Sequence, residues 1–357
     1  MKKIPTLILC IFFTLITFNV FAVQTNVNQD FYWKILENAS LSFDKGNYGD
    51  CLKYAISAKE LRRQESEWSV SVLEKALKPI AVQKIGDNLS VLLETFVERQ
   101  NQDAILVVQK MLELHSVDYF NNSMENLINH LKKMENYPEA EYLIGQVYVI
   151  EGEYNLALDY YKSAWANSDI LDIPDVKYDI LYSMADLSRL SNNLDDYEKA
   201  LLAIIADDTM FNDGTGNSNY IIAAKKAVLT GSMNCDKFFM LYRSQSYKFM
   251  KAYFLLSQLY FEIGNQEKSM DVGILGALAS LTRMHEVIKS RDSEYEYDTI
   301  ENLFIEVSHY TDIVDWSNKN EVWEGLYYFT SVSSNLGAKV FSQSLFEAMF
   351  KACPDLY

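Results

Sequence analysis

The stretch from Ala140 to Ala164 has the pattern of two short helices joined by a tight turn, and it constrains the fold more than any other part of the sequence. Gly145 and Ala157 are small residues placed where two helices would cross, which allows their backbones to approach closely. Gly152 follows the last turn of the first helix, where a left-handed conformation is common and costs glycine least. Pro138 stands where that helix should begin, a position that tolerates proline. The pattern predicts a helical hairpin.

The same pattern recurs elsewhere in the chain, which is the test of a true repeat. Related spacings of small residues, aromatic residues and turn residues occur at 39–58, from 185 onward and at 251–269, although each of these copies departs from the pattern in part. The repeat positions are Ala39, Gly46, Tyr48, Gly145, Tyr148, Gly152, Ala157, Ala185, Ala200, Tyr260 and Gly264. The unit around Gly145 resembles a tetratricopeptide repeat (TPR), and the whole chain resembles an exported bacterial TPR protein.

This resemblance implies an all-α fold in which helix-turn-helix units stack into a TPR-like solenoid. The segments 70–99 and 101–133 have heptad-like apolar spacing, and we interpret them as degenerate repeats. Only residues 294–298 alternate like a strand, and they are too few and too acidic to indicate a sheet.

We predict four segments along the chain. They are a signal peptide at 1–22, TPR-like repeats at 23–205, an irregular linker at 206–248, and a last repeat with a helical cap at 249–357. The break is placed at 206–218 because acidic residues, Asn and Gly accumulate there without helical periodicity.

The N-terminus predicts export. Lys2 and Lys3 precede an apolar run at 4–18, and short side chains up to Ala22 indicate cleavage after that residue. We therefore expect a periplasmic, secreted or surface-associated protein with no membrane span in the mature chain. Two alternatives remain open: an uncleaved anchor, although the run is short for a span of about 20 residues, and a lipoprotein attached at Cys10.

The net charge of −17 becomes −19 once Lys2 and Lys3 are removed with the signal peptide. An acidic surface repels nucleic acid and is not attracted to anionic lipid. The charge indicates either a basic partner or simply the solubility of a long exposed protein.

No pattern of catalytic or metal-binding residues is visible in the sequence. The four histidines lie far apart, and Asp213–Asn217 fits a turn better than a calcium loop. Cys51 occupies a small crossing position and is predicted to be buried, whereas pairing of Cys235 with Cys353 stays open. We predict a protein without catalytic activity, metal or cofactor, and we keep an enzyme as a third alternative.

In the TPR family, the first helix of each unit lines an inner concave wall. The residues that this arrangement implies for the wall are Tyr142, Gln146, Val149, Tyr182, Asp186, Arg189, Phe254, Gln258 and Phe261. Aromatic rings with interspersed amides suit an extended peptide or a helix. The alternative is that these rings pack under a neighbouring unit or under the C-terminal segment.

The sequence thus predicts an exported scaffold in the bacterial envelope whose partner is another protein or peptide. The alternative hypothesis is an accessory protein of a transport system, with a pocket or pore in the solenoid. In that case Tyr142, Tyr182 and Phe254 would contact a small ligand.

Overall fold

The computed structural model describes residues 31–78, 82–115, 120–208, 222, 223, 225, 226, 228, 248–291 and 300–352. All regular structure within these residues is helical, which confirms the predicted all-α class. The predicted signal peptide, most of the 206–248 linker, the 294–298 segment, Cys235 and Cys353 lie outside the described residues.

The described residues form a series of helices. They are α1 (Tyr32–Asp44), α2 (Tyr48–Ala76), α3 (Val82–Glu98), α4 (Gln102–His115), α5 (Phe120–Lys133), α6 (Pro138–Glu151), α7 (Tyr154–Ala166), a 3-10 turn (Ser168–Ile170), α8 (Val176–Leu190), α9 (Leu194–Ile205), α10 (Met250–Glu262), α11 (Gln266–Arg291), α12 (Ile300–Ser308), α13 (Thr311–Lys319), α14 (Val322–Asn335) and α15 (Lys339–Ala352).

The pairs of consecutive helices that form hairpins include α1 with α2, α6 with α7, α8 with α9, and α10 with α11. These pairs coincide with the four units found in the sequence. The second helix of each pair contacts the first helix of the next, through α2 with α6, α7 with α8, and α9 with α10. The hairpins therefore pack in chain order.

Each hairpin turn contains one residue in the left-handed conformation. Gly46, Gly152 and Gly264 have φ angles of 75°, 80° and 82°, as their positions predict. Asn192 takes this place between α8 and α9 with φ 55°, which asparagine tolerates better than most residues. The absence of a glycine in the third unit is thus compensated locally.

The crossing of α6 and α7 depends on Gly145. A Cβ atom on this residue would lie 2.5 Å from the Tyr161 ring and 3.3 Å from the Ala157 carbonyl oxygen. The corresponding small residues Ala39 and Ala185 are fully buried. The prediction that small side chains allow these helices to approach is confirmed.

The segments interpreted as degenerate repeats do not continue the row of hairpins. Helix α2 contacts α6 directly, and α3, α4 and α5 pack on each other and on the second half of α2. Ser66 donates a hydrogen bond to the Leu131 carbonyl, and Asn101 donates one to Ser69, which fastens this group to α2. We refer to α3–α5 as the inserted helices.

The helices on both sides of the predicted linker share one hydrophobic core. Side chains of α8 and α9 belong to the same buried cluster as those of α10–α15, and α9 packs on α10. The predicted boundary at 206–248 is therefore not a break in the core. Helix α11 lies deep in this cluster, and α14 covers both α10 and α11. None of the described helices is long and apolar enough to span a membrane.

Candidate partner-binding surface

The first helices of successive hairpins lie side by side, so the predicted wall residues share one surface. The hydroxyls of Tyr142 on α6 and Ser183 on α8 are hydrogen-bonded at 3.3 Å. Between α8 and α10, the Ala252 N–H donates to the Tyr182 hydroxyl oxygen at 3.1 Å. The row continues to α14, where Gln258 reaches the Tyr328 hydroxyl at 3.4 Å.

The two tyrosines of this surface brace neighbouring helices. Tyr142 is half-buried, and its ring lies 5.5 Å from that of Tyr161. Tyr182 donates a hydrogen bond to the Lys248 carbonyl at 2.6 Å, in addition to the one it accepts. Burial raises the pKa of both phenols. Because their hydroxyls are already engaged, these rings contribute more to helix packing than to an open surface.

Phe254 does not lie on an open surface, and the expectation that it does is wrong. Its side chain is only 3% exposed. A Cβ on Gly276 would lie 2.8 Å from its ring, and a Cβ on Gly325 would overlap the ring outright. The ring is therefore wedged between α11 and α14, so the alternative of packing under the C-terminal segment holds here. Phe261 and Val149 are half-buried and also pack on core clusters.

The accessible members of the predicted set are polar. Asp186 is exposed, whereas Gln146, Arg189 and Gln258 are half-buried. Arg189 pairs with Glu262 at 2.6 Å and lies over the Tyr197 ring, and Gln258 donates to the same glutamate at 3.0 Å. These contacts fix the side chains in place across α8 and α10.

Asp186 is accessible, yet its pKa is raised, chiefly because the surrounding protein desolvates its carboxyl. The charge of Lys251 opposes this rise, whereas the charge of Glu321 adds to it. Asp179, about two turns earlier on α8, is also exposed and has a pKa raised mainly by the same cause. We call the surface formed by the accessible residues of α6, α8 and α10 the groove.

Sequence reasoning missed several groove residues. Lys251 forms an ion pair with Glu321 at 2.9 Å, and its positive charge acts to lower the pKa of Asp186. Glu321 immediately precedes α14 and Tyr328 lies in its middle, in a part of the chain where the repeat signal is faint. Lys251 stands three residues before Phe254 on the same helix, and residues at this spacing share a helix face. This spacing was the sequence signal that could have placed Lys251 on the predicted surface.

A second polar group is buried beside the inserted helices. Arg62 is 1% exposed and lies between the rings of Tyr32 and Tyr137, at 5.4 Å and 4.4 Å from their centroids. Its guanidinium is 3.4 Å from Asp103 and 3.9 Å from Glu139. We call these five residues the Arg62 cluster. It connects α2 to the first turns of α4 and α6, where acidic side chains also complement the helix dipoles.

Within the described residues, no three His, Cys, Asp or Glu side chains converge in a way that could hold a metal ion. Cys51 is buried as predicted, and burial raises the pKa of its thiol to about 11, which keeps it protonated and unreactive at neutral pH.

Fold and surface together define a class: an all-helical protein of packed hairpins with a polar groove. The chain belongs to the same family as an uncharacterized protein of Treponema pallidum (strain Nichols), with 30% identity over 322 residues, covering 90% of this chain and 86% of that protein. It is also similar to an uncharacterized protein of Borreliella burgdorferi (strain ATCC 35210 / DSM 4680 / CIP 102532 / B31), with 26% identity over 237 residues, or 60% and 72% of the two chains. No family model matches the sequence.

Proposed function

We propose that this protein is an exported, TPR-like solenoid scaffold that binds a peptide or helix of another envelope protein in the groove. The observation that carries the proposal is the state of Asp186. Its carboxyl is exposed, makes no hydrogen bond to a described residue, and has a pKa raised chiefly by the surrounding protein. Such a carboxylate is free to accept a charge-assisted hydrogen bond from a donor that a partner supplies.

The other groove residues suit a polypeptide partner. Gln146 and Gln258 carry amides that can pair with backbone N–H and C=O groups of a bound segment. Arg189 is held by Glu262 and Tyr197, so that little side-chain entropy is lost when it makes a further contact. Arginine is among the residues that contribute most at interfaces.

The TPR-like solenoid is proposed on the four hairpins packed in chain order, with left-handed residues in their turns and small residues at their crossings. The inserted helices and the additional C-terminal helices α12–α15 depart from a plain repeat array. Export is proposed on residues 1–22 of the sequence alone.

The alternative of a small-solute accessory receives no support from the three aromatic residues first assigned to it. Tyr142 and Tyr182 are engaged in contacts between helices, and Phe254 is buried. A small ligand at these residues would have to displace packing that holds α6, α8, α10 and α14 together.

The proposal is tested by photo-crosslinking in the native envelope. A photoreactive residue is introduced at Gln146, Asp186 or Gln258, and separately at Asp159 and Glu267, which are exposed positions on α7 and α11. We expect one protein partner to crosslink from the groove positions and not from the controls, and Asp186→Lys to reduce its capture. Equal crosslinking from Asp159 and Glu267, or capture unaffected by Asp186→Lys, would show that the partner binds elsewhere.

A further inference from the structure

A recess lies between α7 and α9, with α8 as its floor, and it is distinct from the groove. Its volume is about 260 Å³, and its apolar wall includes Leu158, Trp165, Met184 and Ala203. Both α7 and α9 pack against α8. The recess exists because α9 turns alanines toward it, so that no large side chain fills the space between α7 and α9. Its size is close to the lower limit for small-molecule pockets.

One polar residue is built into the floor of this recess. Ser188 is only 3% exposed and lines the recess. A serine hydroxyl can donate one hydrogen bond and accept others.

The edge of the recess carries two lysines, Lys162 from α7 and Lys199 from α9. Lys199 is bonded to Asp196 at 3.2 Å, which lowers the pKa of that carboxyl, and Lys162 adds to the lowering. Lys162 has no salt bridge or hydrogen bond of its own with the described residues. The edge therefore has one positive charge in excess, on a chain whose net charge is −17.

Chain order places these features at defined ends. Ser188 and Asp196 flank the turn between α8 and α9, so they lie at the same end of the recess. Trp165 and Ala203 lie near the C-terminal ends of α7 and α9, at the opposite end. Lys162 and Lys199 lie between these ends, about one helical turn before Trp165 and Ala203, and the end with Trp165 and Ala203 is apolar.

We propose that this recess binds a small amphipathic monocarboxylate. The carboxylate would pair with Lys162 and Lys199 at the edge, while a compact alkyl or aryl body enters the recess and packs against Trp165 and Met184. A ligand with a cationic head would meet like charge at the lysines, and a short carboxylate would leave the apolar end empty. This site is independent of the groove and of any protein partner.

The test is calorimetric titration of the purified protein with three probes: sodium octanoate, octylammonium and sodium acetate. We expect saturable binding of octanoate, with the other two at least about tenfold weaker, a difference of about 1.4 kcal/mol. Binding of octylammonium as tight as that of octanoate, or no saturable binding of octanoate, would overturn the proposal.

Variants locate the binding. Ala203→Trp places a large ring in the apolar end and is expected to abolish octanoate binding. Lys162→Glu is expected to weaken it several-fold, whereas Lys53→Glu, the same charge change at an exposed position on α2, leaves it unchanged. Lys162 is exposed, so this variant keeps the proposal testable even if Ala203→Trp fails to fold. Octanoate binding that survives Ala203→Trp in a folded protein, or that Lys53→Glu weakens as much as Lys162→Glu, would place the ligand elsewhere.

Discussion

The two halves of the molecule hold their helices together in different ways. In α8–α15, most of the buried apolar side chains belong to one continuous hydrophobic cluster around α11. In α1–α7 and the inserted helices, the buried side chains fall into several smaller clusters, with the Arg62 cluster between them. Apolar burial is non-directional, whereas a buried guanidinium requires specific partners. The C-terminal half therefore gains stability from its buried apolar surface area. The N-terminal half gains a defined arrangement of helices from directional contacts.

The largest expected effect tests the C-terminal half. Phe254→Ala removes a ring that is enclosed by α11 and α14, and we expect a loss of about 4 kcal/mol in the free energy of unfolding. Urea denaturation followed by circular dichroism measures it. Ile263→Ala, at a residue that is 56% exposed, is the control and should change little. Similar losses in the two variants would contradict the burial of Phe254.

The matching change in the N-terminal half is Arg62→Met. It preserves much of the volume but leaves Asp103 and Glu139 buried without their cation, so we expect a loss of about 3 kcal/mol. The neighbouring Arg63→Met removes only exposed ion pairs with Glu60 and Glu67 and should have little effect. If Arg62→Met is neutral or stabilising, the cluster does not hold these helices and the contrast between the halves fails.

A glycine series sharpens the comparison within one hairpin. Gly145→Ala brings a methyl group to 2.5 Å from the Tyr161 ring, and we expect a loss of about 2 kcal/mol. Gly152→Ala strains a turn residue at φ 80° without any steric contact and should cost about 1 kcal/mol. Gly49→Ala on α2, with open space around it, should be neutral or slightly stabilising. Thermal unfolding midpoints rank the three, and any other order would refute the crossing geometry.

The smallest expected effect is a pH dependence at the groove, where the two halves meet. Because the pKa of Asp186 is raised in the folded state, the folded protein binds more protons there than the unfolded chain, so its stability falls as pH rises through that pKa. Asp186→Asn should therefore raise the unfolding midpoint slightly at pH 7, and the gain should disappear below about pH 4, near the pKa of an unperturbed Asp. Asp159→Asn, with the same change in charge, controls for net charge. A gain that is independent of pH would exclude this explanation.

Local spacing made part of this structure predictable. Gly145, Ala157 and Gly152 lie within one hairpin, and a helical period of 3.6 residues places them at the crossing and the turn without knowledge of the rest of the chain. The burial of Ala39, Ala185 and Cys51 follows from the same repeat. Such positions are set by contacts that are close in sequence.

Other features depend on contacts between distant segments and were not predictable. The Arg62 cluster brings together residues from α1, α2, α4 and α6, and nothing in any one of these segments indicates a shared site. Phe254 has the spacing of a wall residue, but Gly325 on α14 provides the space that encloses it. The predicted wall therefore differs from the structure in composition, since its aromatic members pack against neighbouring helices and its charged members remain accessible.

Helix α2 belongs to two packing groups at once. Its first half, with Ala55 and Ala58, packs on α1 and near α6, whereas its second half, with Val70 and Leu73, packs on the inserted helices. A continuous helix carries backbone order from one group to the other, so loss of the inserted helices would expose the second half while α6 still retains the first. Amide hydrogen exchange along α2 would then show two levels of protection that change near Arg62, which makes this residue the boundary between two units of local unfolding.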